Sequence, residues 1–246
     1  MQVRFMSFVS LCAYILMLSG CATLGGDKLL LKTAGTKVVV VSLLGNQMYI
    51  QHAGTTVFSN QKREVDVASW SLDQFVEDKA NALIETGSKF TVVKAKADGY
   101  RQKFGSLEQN FWTGDRKYQN QAEGLHALAT ESGADLVIII SPIEYGDVFF
   151  STNQLVSGYG IYQRSFLRSQ SAVNFMTMAV HVMDAKTGEE VSSKAHYASS
   201  KRNDQDWIEG ESLPLSTENE LLTRQAITLL AQDLLEKELA ELQLTD

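Results

Sequence analysis

Cysteine and proline are nearly missing from this chain, each occurring twice in 246 residues. Both cysteines, Cys12 and Cys21, stand near the N-terminus, so no disulfide framework can organise the rest. Two prolines beside 44% hydrophobic residues exclude collagen-like, low-complexity and disordered classes. Cations are the minority charge, 22 Lys and Arg against 29 Asp and Glu, for a net charge of −7. A pI near 5.2 without a basic stripe excludes a nucleic-acid binder. What remains is a globular chain, long enough for one domain of generous size or at most two small ones.

The most informative pattern lies at the start. After Arg4 the next charged residue is Asp27, and between them Phe5 to Leu18 is almost wholly apolar. That run is short for a helix spanning a ~30 Å hydrocarbon core and suits the hydrophobic region of a secretion signal. It ends in Leu18-Ser19-Gly20-Cys21, which resembles the lipobox of bacterial lipoproteins. The small residues let a signal peptidase reach the backbone. The Cys21 thiol then accepts a diacylglyceryl group, and cleavage frees its amine for acylation. An ordinary cleaved signal with a chance cysteine, or an uncleaved anchor, is the plainer alternative.

The expected layout is a signal peptide over 1–20, a lipidated N-terminus and short tether over 21–36, and a single globular α/β domain over 37–246. The several acyl chains of a mature lipoprotein make a stable anchor where one alone does not. Ala22, rather than Asp, follows the cysteine. By resemblance to enterobacterial sorting, that favours the outer membrane, with the domain facing the periplasm.

In the body, Val38 to Val41 with Leu43 and Leu44 reads as a central strand buried on both faces, ended by Gly45-Asn46. Gln47 to His52 is expected to return beside it, with Thr55 to Phe58 continuing the meander. Ser71 and Gln74 make a capping-box pattern before a helix, and Gly87 ends that helix in the left-handed position. Phe90 to Val93 is the next strand. Ala97 to Gln121 is polar and reads as a long loop or irregular insertion. Another helix ends at Gly133 and leads into the apolar strand Leu136 to Ile140.

The clearest hairpin joins Met176–Val182 to Val191–Tyr197 across an Asp184-to-Glu189 turn. Pairing Met183 with Glu190 sets Val182 against Val191 and Met176 against Tyr197, with both apolar sets on one face. That register turns both His181 and His196 to the polar side, roughly 13 Å apart at ~3.4 Å per residue. Thr217 with Glu220 opens a closing helix that carries Leu222, Ala226, Leu229, Leu230, Leu234 and Leu235 on one side.

In this order, these signals resemble a bacterial envelope group: the curli-secretion lipoprotein CsgG, the penicillin-binding-protein activator lipoprotein LpoB and the N-terminal domain of TolB. The residues that carry the resemblance are the lipobox at Cys21, the opening strand, Gly133-Ala134-Asp135 before Leu136, and the hairpin turn with Lys186-Thr187-Gly188-Glu189. The resemblance implies an α+β fold (an α/β sandwich), with a mixed, largely antiparallel sheet packed with about three helices. It also implies work by protein contact rather than catalysis.

Motifs for chemistry are mostly wanting. No His-Glu-x-x-His pattern or cysteine pair offers a metal site, so no metal and no cofactor beyond the covalent lipid is expected. Gly158-Tyr159-Gly160 lacks the third glycine of a dinucleotide loop, and Gly210 to Pro214 fails as a nucleophile elbow. Glu144 and Asp147 could pair as carboxylates, but they read more simply as a charged rim.

Tyr145 to Phe166 interleaves aromatics with glycines, the composition of a binding loop. Tyr159, Tyr162, Phe149 and Phe150 are therefore the candidate partner-binding residues. The plainer reading is a loop folded back over the sheet, with its rings filling a satellite core. The expected function is a non-enzymatic outer-membrane lipoprotein that binds another envelope protein. The alternatives are an oligomeric secretion-channel component of curli-secretion type, itself a homo-oligomer, and an unrecognised hydrolase.

Overall fold

In a computed structural model, the residues described are 35–245 apart from 88, 96–97, 110–115, 168, 204–206 and 209–214. The expected signal segment and Cys21 lie outside them. The strands are β1 (Thr36–Ser42), β2 (Gln47–Ala53), β3 (Gln61–Asp66), β4 (Phe90–Val92), β5 (Leu107–Gln109), β6 (Arg116–Tyr118), β7 (Leu136–Pro142), β8 (Glu144–Gly146), β9 (Leu155–Ser157), β10 (Tyr159–Phe166), β11 (Ser169–Asp184) and β12 (Glu190–Lys201). The helices are α1 (Leu72–Thr86), α2 (Asp98–Phe104), α3 (Gln121–Ser132) and α4 (Thr217–Glu241).

The 16-residue β11 is the spine of an eight-stranded sheet. One of its edges pairs with β12. Its other edge is shared end to end. The first half takes β10, with β2 and β3 beyond it, and the second half takes β7, with β1 and β4 beyond that. The sheet is mixed: β1–β4, β1–β7 and β2–β10 run parallel, and the other pairs antiparallel. With three long helices and the short α2 packed on it, the fold is the α+β class that the sequence pattern implies.

Both faces of the sheet are covered, which explains the unbroken valines of β1. On the front, Val38, Val40, Leu136, Ile138 and Ile140 meet α1 and α4 through Val76, Ala80, Ile227, Leu234 and Leu235. On the back, Val39, Val41, Val137 and Ile139 meet α2 and α3 through Tyr100, Phe104, Leu125 and Leu128. The rest of the back face is covered by the β8–β9 hairpin and its loop, over Tyr162 and Phe175. Among the described residues the three cores draw on Val38 to Leu244, all of which residues 35–246 retain.

Several local expectations are corrected. β2 does not return beside β1, because both edges of β1 are occupied by parallel strands; it joins β10 in the other half of the sheet. Its hairpin partner is β3 rather than Thr55 to Phe58. Being a mostly exposed edge strand, Gln61–Asp66 has no apolar alternation to announce it. Segment 97–121 is not simply a loop but holds α2, β5 and β6. Ser71 makes no side-chain cap, and Gly87 has φ −80 rather than a left-handed value. The cap of α4 is Ser216, which accepts from the Asn219 N–H at 3.2 Å, one residue before the expected Thr217. On α4, Leu222 and Leu229 face outward rather than into the core.

The β11–β12 hairpin holds the expected Met183–Glu190 pair, but a bulge then shifts the register so that Val182 faces Ser192. Val191 is the extra residue. A one-residue slip moves every later side chain of β12 to the opposite face. His181 now pairs with Ser193 and His196 with Met178, so the two histidines lie on opposite faces rather than together. The slip brings His196 under α4, 3.7 Å from Glu238.

Candidate functional site

The Gly-aromatic segment crosses the back of the sheet and is held by one carboxylate. Asp147 accepts from the backbone N–H groups of Phe149, Phe150 and Thr152, each at 2.9 Å. The Thr152 hydroxyl, at 2.6 Å, and the Tyr162 hydroxyl, at 2.8 Å, donate to the same carboxylate. Burial opposes its charge, but these hydrogen bonds outweigh that and hold its pKa below the ordinary carboxylate value. Gly160 fits because it lies against the Tyr49 backbone with φ +148, where a Cβ would collide.

Tyr159 and Tyr162 are each 0% exposed. The Tyr159 hydroxyl donates to the Gly45 carbonyl at 2.8 Å, and burial raises the pKa of both phenols. Their rings therefore offer no contact surface in this fold, because the strand alternation of β10 turns them into the two cores. Phe149 and Phe150 are half-buried; Phe149 stacks near Tyr162, Phe175 and Tyr197, and Phe150 near Tyr162. What the segment shows to solvent is Val148 at its start, Leu155 at mid-length and Phe166 at its end.

Between this hairpin and the β5–β6 unit the back face opens into a cleft of about 660 Å³. Its floor is Ile139 and Ser141 from β7 with His181 and Met183 from β11; Leu107, Lys117 and Tyr118 form one wall. His181 Nδ1 lies 2.7 Å from Glu190, which also accepts from the Ser193 hydroxyl at 2.8 Å. The hydrogen bond from His181 is the main cause holding the Glu190 pKa below its usual value. A carboxylate thus orients an imidazole at the rim of an amphipathic cleft. Among the described residues no hydroxyl hydrogen-bonds to that ring. Among the described residues no three His, Cys, Asp or Glu side chains group to hold a metal.

A second polar cluster, which sequence reading missed, ties β1 to α1. Asp73 accepts from the Ser42 hydroxyl at 2.6 Å and the Leu44 N–H at 2.9 Å, while Glu77 accepts from the Ser42 N–H at 2.8 Å. The Arg101 guanidinium bridges to Glu77 at 2.7 Å. Burial raises the pKa of both acids, against the pull of these donors. Here the carboxylates close off backbone groups at the end of β1, which is a structural task. Asp73 sits where a first-turn helix acid is common, so nothing in the sequence marked it out.

No protein-family profile matches the chain, and no curated protein does. Among solved structures, it is similar to the PelC dodecamer from Paraburkholderia phytofirmans, at 13% identity and TM-score 0.35, over 86% of this chain and 90% of that one. It is also similar to the lipoprotein GNA1162 from Neisseria meningitidis, at 14% identity and TM-score 0.35, over 80% and 98%. The LpoB C-terminal domain from Escherichia coli follows at 17% identity and TM-score 0.28, over 68% and 85%. These are distant likenesses, one of them to a lipoprotein, and define no role for this chain.

Proposed function

We propose that this chain is an outer-membrane lipoprotein whose α+β domain faces the periplasm and binds another envelope protein without catalysing a reaction. The observation that carries this reading is the charge-free run Phe5 to Leu18 closing on Leu18-Ser19-Gly20-Cys21. Cys21 carries the lipid. The partner contacts Phe149 and Phe150 at the edge of the back-face cleft, where Val148 and Leu155 add exposed apolar surface. Tyr162 supports that surface from beneath, and Tyr159 holds the same strand from the opposite core. Intact-mass analysis should find a mature N-terminus at Cys21 bearing acyl chains, and Cys21→Ala should accumulate precursor. A mature chain starting elsewhere with an unmodified thiol would falsify the anchor.

The channel-type alternative draws on one feature, the outer edge of β12. Among the described residues this 12-residue strand pairs only with β11, leaving an edge that a second copy could extend. Size-exclusion chromatography of detergent-extracted protein separates a large ring from a monomeric binder.

A further inference from the structure

Four of the exposed large apolar side chains, including the two most exposed among the described residues, share one end of the sheet. Phe58 is 97% exposed and Val57 59%, both in the loop joining β2 to β3. Leu167 is 79% exposed and Phe166 48%, at the turn joining β10 to β11. Because β10 runs parallel to β2, with Arg164 beside Ala53, both turns project from the same end of the sheet. Burying such side chains is favourable, so a fold that leaves four of them together forgoes a large gain.

Both turns are built to hold them out. In the first, the Gly54 N–H donates to Asn60 at 3.0 Å and the hydroxyls of Thr56 and Ser59 meet at 2.9 Å, closing a short knot with Val57 and Phe58 on its crest. In the second, Leu167 has φ +56, a left-handed conformation that an asparagine or glycine would adopt with less strain. A strained, exposed leucine is a poor choice for folding alone.

The charge around the tip is the reverse of the chain's. Lys62 and Arg63 on β3 and Arg164 on β10 stand just behind it, and no acidic residue occurs between Asn46 and Arg63 or between Val148 and Met183. The net charge of the whole chain is −7. An apolar crest backed by cations is the pattern that suits the interface of an anionic bilayer. There the crest reaches the acyl boundary and each nearby cation adds attraction to the anionic headgroups. It protrudes rather than forming a groove, so it offers no cavity for a peptide.

We propose that this two-hairpin tip inserts into an anionic lipid surface, with Val57, Phe58, Phe166 and Leu167 entering the interface and Lys62 and Arg164 meeting lipid phosphates. The tip is at one end of β11, while β7 and β1 begin at the other, roughly 50 Å away at ~3.4 Å per residue.

The test is co-flotation of residues 35–246 with vesicles containing phosphatidylglycerol, compared with vesicles of phosphatidylcholine alone. The domain should float with the anionic vesicles, and high salt should weaken the binding. Phe58→Ser with Leu167→Asn should lower vesicle affinity by at least about tenfold without lowering the melting temperature, since both side chains are exposed and Asn relieves the strain at φ +56. Equal flotation of this variant, or no flotation of the unaltered domain, overturns the proposal. So does self-association, or crosslinking from position 58 to a protein, that the variant abolishes in the absence of vesicle binding.

Discussion

Glu238 offers the sharpest test of the packing. Its side chain lies on the inner face of α4 and is 0% exposed, and neither carboxylate oxygen has a hydrogen-bond partner. The nearest cation candidate, His196 Nδ1, is 3.7 Å away, too far for a hydrogen bond. Burial pushes the Glu238 pKa up to about 9; the His196 backbone N–H, near the carboxyl but outside hydrogen-bond geometry, and Lys237 oppose the rise, and Glu241 adds to it. The unfolded chain ionises this carboxyl near the ordinary value of 4.5, whereas the folded chain keeps it neutral until about 9.

Between those two values the folded state binds one proton more, so stability falls as pH rises, by ~1.36 kcal/mol per pH unit. From about pH 5 to about pH 8 the loss is at most roughly 4 kcal/mol. Glu238→Gln keeps the shape and removes the titration. At about pH 8 it should raise the melting temperature by roughly 5–15 °C, and near pH 4.5 by almost nothing. Calorimetry of both chains across that range reads the difference directly. If the glutamine variant is less stable at pH 8, the carboxylate is ionised in the fold and held by His196, and the reasoning fails.

Two further outcomes follow from backbone geometry. Gly160→Ala should cost roughly 3 kcal/mol in denaturant unfolding, because the Cβ collides with the Tyr49 backbone. Gly45→Ala, at φ +77 in open space, should cost only ~1 kcal/mol, and equal losses would sink the close-approach argument. Ser216→Ala should cost ~1 kcal/mol by losing the α4 cap, while Ser71→Ala, which removes no cap bond, should be near neutral; matching losses would contradict the assigned caps.

The legible parts of this protein were those governed by near neighbours in the chain. The valines of β1 and the run Leu136 to Ile140 announce fully buried strands, because only a two-sided core uses such runs. Gly133, at φ +63, marks the end of α3 in the expected way. The turn from Asp184 to Glu189 sets the hairpin, and its first pair is as alternation implies. The candidate site was less legible. Composition singled out Tyr159 and Tyr162 as binding residues, but aromatic content cannot say which face of a strand a ring takes, and β10 turns both inward.

By itself the sequence determined the main hydrophobic strands and the long closing helix, both of which rest on periodicity within a dozen or so residues, while the α+β class came from the resemblance those signals carry. Tertiary structure alone decided the forked sheet, in which β2 leaves β1 for β10, since strand partners depend on which edges are already filled. It also decided the bulge at Val191, which sends His196 to the opposite face and under Glu238. One inserted residue leaves the alternation of β12 intact while reversing what each side chain touches. Pattern is a property of one strand, and register is a property of two.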